Sequence, residues 1–187
     1  MSAIGTSPSF SSGEGFQLNP FSGLDYNLCE NGIRVILFSI EELKTELANK
    51  ESVTLKSPKN DPILVAVSGA GISRTERDIP LLLVPLFWLL MGAPRRDKRA
   101  MEDALQTSSG QRWIVVRPSL LVGDGLGEGK GLEHVRTWLE REGKPAGEKL
   151  IGYTIQREDV GRWIYEECIV GKDFGEKWVS NAVYLTY

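Results

Sequence analysis

Apolar residues follow two rhythms along this chain. They are continuous from Ile63 to Val67 (ILVAV) and again from Trp113 to Val116 (WIVV). A run without polar alternation suits a strand covered on both faces, as in the interior of a parallel sheet. Each run ends abruptly, the first in Ser68-Gly69-Ala70-Gly71 and the second in Arg117-Pro118-Ser119. Two such strands with a helix between them make a βαβ unit. Ligands of open α/β sheets sit beyond the carboxyl ends of the strands, so Ser68 stands where chemistry usually happens.

The second rhythm is helical. Ile33, Ile36, Leu37, Ile40, Leu43 and Leu47 recur at helical spacing over 28–47, with Asn27 as a cap. Pro94 precedes a helix over 95–107, on which Lys98, Met101 and Leu105 fall at i, i+3 and i+7. Lys98 thus shares the inward stripe, where a lysine either snorkels to the edge or has a role. Leu132, Val135, Trp138 and Leu139 predict a further helix over 131–142, stopped by Gly143. Leu150 to Thr154 is short and extended. Thr154 then caps a helix to about Val170, with Glu158 and Asp159 in its first turn and Val160, Trp163, Ile164 and Cys168 inward. Lys177 to Tyr187 suits a final strand. Residues 1–27 read as a loop that packs some aromatics, and 48–61 as a polar connection. The apolar stretch 79–91 contains Pro80 and Pro85 and is too short and broken for a bilayer span. It is expected to be a buried helix entry or a substrate-side wall.

Composition narrows the classes. At 187 residues and 41% apolar content, the chain suits a single globular domain. A net charge of −3 argues against a nucleic-acid surface. The one dense basic cluster, Arg95, Arg96, Lys98 and Arg99, reads as a solvated helix start. Cys29 and Cys168 lack CxxC or Cys/His spacing, which predicts buried thiols and no metal site. His134 is the only histidine and has no nucleophile beside it in sequence. No secretory signal or membrane span is visible, so a cytoplasmic location is expected. The loop GDGLGEGKG at 123–131 fails the GxxxxGK[ST] pattern, because Asp124 and Gly131 stand at required positions, and it fails GxGxxG in every register. A structural loop or a mobile lid is the expectation there.

Four segments taken together, VAVSGAGIS at 65–73, DKRAMEDAL at 97–105, WIVVRPSLL at 113–121 and IQREDVGRWI at 155–164, resemble the atypical short-chain dehydrogenases/reductases of the NmrA-like group. MSAIGTS at 1–7 looks like the end of that family's fourth strand. The resemblance implies an α/β, Rossmann-like three-layer fold with a mostly parallel sheet, truncated at its N-terminus, and NAD or NADP as cofactor. By it, Ser68 polarises a substrate carbonyl and Lys98 holds the nicotinamide ribose. Gly5 and the segment Pro118, Ser119, Leu120 and Leu121 border the cofactor. Arg157 and Asp159 match a late motif that is more often structural. The family's tyrosine acid stands four residues before the lysine, where this chain has Pro94, which cannot donate a proton.

The same resemblance marks a departure. No GxxGxxG turn occurs near Met1, so the helix N-terminus that holds the pyrophosphate is expected to be missing, with roughly 70 residues of βα repeat. A sheet so shortened would leave a strand edge open to self-association. Three readings therefore stand. One is an NAD(P)H-dependent oxidoreductase acting on a small carbonyl, quinone or flavin-like substrate. Another is a non-catalytic dinucleotide sensor, and the last is a relic without independent activity.

Overall fold

The computed structural model describes residues 27–50, 62–73, 81, 84–141, 144–146, 151–173 and 175–187. They fall into two compact units, one containing Met1–Val53 with Pro85–Thr107, the other Thr54–Val84 with Ser108–Tyr187.

The first unit holds two helices among its described residues, α1 (Leu28–Lys50) and α2 (Val84–Thr107). α1 forms where its apolar spacing predicts, and Ile33 is its buried anchor. Its first turn is also met from α2: both carboxylate oxygens of Asp97 accept the N–H groups of Cys29 and Glu30 at 2.9 Å. A carboxylate at a helix start satisfies orphan donors and favours the dipole, so this contact locks the two helices in register. α2 corrects the sequence expectation. Pro94 lies inside one continuous helix instead of before a shorter one. The break costs one backbone hydrogen bond, and the buried Asp97, Met101, Glu102, Ala104 and Leu105 beyond it keep the helix in place. Pro85 sits in the first turn, where its missing N–H would have been unpaired anyway.

The second unit is a mixed sheet. Its strands are β1 (Ile63–Val67), β2 (Arg112–Pro118), β3 (Leu120–Val122), β4 (Arg136–Arg141), β5 (Lys144–Ala146), β6 (Thr154–Gln156) and β7 (Asn181–Thr186). The main sheet is ordered β1-β2-β7-β4-β5, with β3-β6 as a separate parallel pair. β1 and β2 are parallel neighbours, Val65 opposite Ile114, as the two apolar runs predict. β7 continues the parallel set, and β4 and β5 close it antiparallel. The fold is therefore α/β with a mostly parallel sheet. Coverage differs along it: Ile114 to Pro118 of β2 are all buried, whereas in β1 only Ala66 is buried and Val67 is 44% exposed. Among the described residues β1 pairs only with β2, which accounts for the difference.

Ile114, Val116, Val183 and Leu185 form one face of the sheet. They pack with Ile155 and with Val160, Trp163 and Cys168 of α3 (Arg157–Ile164) and its π-helical extension Tyr165–Ile169. That is the inward stripe the spacing predicts. Thr154 is not the cap, however. It belongs to β6 opposite Leu120, and Gln156 precedes the helix. The helix expected over 131–142 is absent too. A single 3-10 turn, Leu132–His134, leads into β4, where Trp138 pairs with Tyr184 of β7. β7 offered a hydrogen-bonding edge, and Thr137, Trp138 and Leu139 suit a pleated surface as well as a helix. Sheet pairing decided between two periods that so short a segment satisfies about equally.

Candidate active site

The turn that follows β1 keeps to the edge of β2. The Ser68 N–H donates to the Val116 carbonyl at 2.8 Å and the Ala70 N–H to the Pro118 carbonyl at 3.0 Å. The parallel ladder thus runs two steps past the strand, and Gly71 at φ 80° then turns the chain. Glycine adopts that angle without steric cost. Ser68 is 1% exposed and Ile72 is 2% exposed, so the turn is packed inward. At the end of β2 the chain changes partners. The Ser119 N–H still donates to Leu185 of β7 at 2.9 Å, and the Leu120 N–H already donates to Tyr153 at 3.2 Å. Ser119 is buried, and its hydroxyl has no partner among the described residues. Leu120 is mostly exposed, whereas Leu121 packs on the core. Ser68, Pro118, Ser119, Leu120 and Leu121 therefore gather at one end of the second unit.

Lys98 belongs to the first unit and is described there. It lies on α2 one turn before the buried Met101 and two before Leu105, on the inward stripe. Burial lowers its pKa below the ordinary lysine value, against the opposing attraction of Cys29, Glu102 and Asp97. Cys29 is a free thiol, pushed up to about 11 by burial and then by Asp97. Cys29 is only half-buried, against the expectation of a buried thiol, whereas Cys168 is free and buried, at about 11 through burial and then Glu167. Pro94 precedes Lys98 by one helical turn, so no phenol stands at that position of the α2 face. Gly5 lies outside the described residues, as does the stretch 1–7 that carried its resemblance.

The glycine-rich loop 123–131 is held by the start of α3. Glu158 accepts from the N–H groups of Gly125 at 2.8 Å and Gly127 at 3.4 Å. Asp159 accepts from Lys130 at 2.7 Å and Gly131 at 3.2 Å, and also from the Tyr187 hydroxyl. Arg157 donates to the Gly123 carbonyl. Burial alone would raise the Asp159 carboxyl. The hydrogen bonds from Tyr187, Lys130 and Gly131, with the nearby Arg162 charge, outweigh it and hold the group below its ordinary 3.8. The loop donors that a phosphate would use are taken by the chain's own carboxylates. Of the two expectations for this loop, the structural one fits these contacts, and Arg157, Glu158 and Asp159 are its staples.

Comparisons with known proteins agree with this architecture. No family model matches the chain. It is similar to Reductase pytE of Aspergillus terreus, 34% identical over 168 residues, which is 86% of this chain and 57% of that protein. It is likewise similar to Oxidase pynE of Aspergillus niger, 35% identical over 168 residues with the same shares. The chain thus spans 57% of the length of the curated relatives it matches. A solved short-chain dehydrogenase/reductase from Veillonella parvula matches it with a TM-score of 0.50 at 19% identity, over 65% of this chain and 49% of that one. Over that span the fold is that of a short-chain dehydrogenase/reductase.

Within that fold, sequence reasoning overlooked a group at the same end of the sheet. Glu140 of β4 accepts the Ser73 hydroxyl at 2.6 Å and the Arg117 guanidinium. The available signal was the alternation of Trp138 and Glu140 on one strand face, which the helical assignment of 131–142 hid. Tyr187 was assigned only to the last strand, although its hydroxyl serves Asp159 and also accepts the Gln156 N–H at 3.1 Å. His134, the sole histidine, is exposed beside Glu133. No group of three His, Cys, Asp or Glu side chains suited to a metal occurs among the described residues. No described helix is long and apolar enough to cross a membrane.

Proposed function

We propose that this chain is part of an NAD(P)H-dependent oxidoreductase of the atypical, NmrA-like short-chain type, reducing a small carbonyl, quinone or flavin-like substrate. The observation that carries the reading is the Ser68 turn laid along the end of β2, beside the buried Ser119 hydroxyl, which has no partner among the described residues. The reductase and oxidase relatives at 34% and 35% identity support it. A buried hydroxyl with no described partner, at a position expected to border the cofactor, fits a polar group such as the nicotinamide carboxamide. The pyrophosphate end is a different matter: in the glycine-rich loop 123–131 the N–H groups of Gly125, Gly127, Lys130 and Gly131 are filled internally. NAD(P)H, when bound, supplies the hydride.

The chain's own residues then have distinct tasks. Ser68 donates its hydroxyl hydrogen bond to the substrate oxygen as negative charge develops there. Lys98 holds ribose hydroxyls, and its lowered pKa lets it give up a proton more easily than an exposed lysine. Pro94 leaves no tyrosine acid on that face, so the final proton comes from solvent or substrate.

NADPH and NADH oxidation by the full chain, with menadione as quinone probe, tests the reading. Turnover that Lys98→Met abolishes without unfolding supports it. Because burial depresses the lysine in the folded state, charging it there is unfavourable. Wild-type stability should therefore rise with pH from the depressed folded value toward 10.5. Lys98→Met should flatten that rise, read by thermal melts across pH. Tight NADPH binding without turnover would favour the sensor reading, to which Pro94 gives specific support. Self-association through the outer edge of β1 belongs to the same proposal, and sedimentation at several concentrations reads it.

A further inference from the structure

The serine turn has a second anchor. Its first half is tied to β2 through the Ser68 and Ala70 N–H groups, and Gly71 turns it at φ 80°. Its last residue, Ser73, donates to Glu140 on β4, two strands beyond β2 with β7 between. Glu140 also pairs with Arg117, and the two side chains are 14% and 7% exposed. Taking such a pair out of water is costly unless every partner is in place, so its geometry is strongly determined. The ion pair alone already joins β2 to β4. Adding the Ser73 hydroxyl brings in only the turn.

We infer that Glu140 is a positioning residue for Ser68, with Arg117 fixing Glu140 and Ser73 transmitting its hold to the turn. This rests on Ser68 being the substrate-facing hydroxyl. The turn is six residues long and pinned at both ends, so Ser68 has little freedom to leave the line set by β2. Released at Ser73, the turn loses its cross-sheet anchor, and the Ser68 and Ala70 bonds to β2 carry more of its hold. Misplacing a reacting group by about 1 Å can cost up to a hundredfold in rate.

The test compares the full chain with Ser73→Ala, which deletes one hydroxyl, and Ser73→Thr, which restores it. Amide hydrogen exchange is followed at Ser68 and Ala70, with Ile114 to Val116 as internal reference. Turnover is followed with NADPH and menadione. Ser73→Ala is expected to speed exchange at Ser68 and Ala70 about tenfold while the β2 reference keeps its rate. The variant should lower kcat roughly tenfold with KM changed less than about twofold. Ser73→Thr should return both readings. Unchanged exchange at Ser68 and Ala70 overturns the inference, and so does a uniform rise across the whole unit. A wild-type chain that does not oxidise NADPH defeats the oxidoreductase reading instead, and exchange then decides the positioning role by itself.

Discussion

Two glycine-rich stretches of the second unit look alike in sequence and behave differently. SGAGIS at 68–73 and GDGLGEGKG at 123–131 each leave a parallel strand, and each is rich in the residues that cradle ligands elsewhere. In the first, backbone donors continue the ladder of β2, and one cross-sheet carboxylate holds the far end. In the second, four backbone donors are consumed by Glu158 and Asp159. The lesson concerns occupancy. A glycine-rich turn offers a binding site only if its N–H groups are not already satisfied from within, and their partners lie far away in sequence.

That contrast can be broken most forcefully at Asp159. Asp159→Ala should strand the Lys130 and Gly131 donors and leave the Tyr187 hydroxyl with Gln156 alone, with a stability loss of about 3 kcal/mol in urea denaturation. If the loss is negligible, the loop is not held from α3. Next comes Gly129→Ala. Gly129 sits at φ +75°, and a Cβ there would overlap the Asp159 carboxylate. A loss of about 2 kcal/mol is expected from backbone strain together with the displaced acid. A neutral result would mean that the loop can re-form around a side chain.

Acid offers a gentler lever. The Asp159 value is depressed in the folded state, so its contribution is complete above the ordinary 3.8 and is lost as pH falls below that through the folded value. Amide exchange at Lys130 and Gly131 should therefore be flat near neutrality and accelerate only in that acid window. Acceleration already near pH 6 would point to another group. The smallest stability effect should come from the other turn. Ser68→Ala should change stability by no more than about 1 kcal/mol, while lowering turnover with NADPH and menadione. A large stability loss without a turnover effect would make Ser68 a structural hydroxyl.

Much of this was legible before any coordinates. Continuous apolar runs can be buried in few ways, so β1 and β2 emerged as parallel neighbours with Ser68 at the exit of β1. The inward stripe of α3 and its π-helical extension was equally clear, whereas in α1 the stripe buries Ile33 but leaves Leu43 and Leu47 exposed. Lys98 was correctly placed on an inward stripe.

Where local preference was balanced, the chain alone was silent. Residues 131–142 fit a helix by spacing and a strand by content, and only the waiting edge of β7 separated the two. Pro94 is a stop signal locally, yet α2 runs through it because the residues beyond are buried. The Glu140 contact with Ser73 and Arg117 spans 67 and 23 positions, and the Asp159 contacts with Lys130 and Gly131 span 29 and 28. Periodicity reports which face of an element is apolar. Which distant carboxylate satisfies a given donor is set by how sheet, turn and helix pack, and that is a property of the folded molecule.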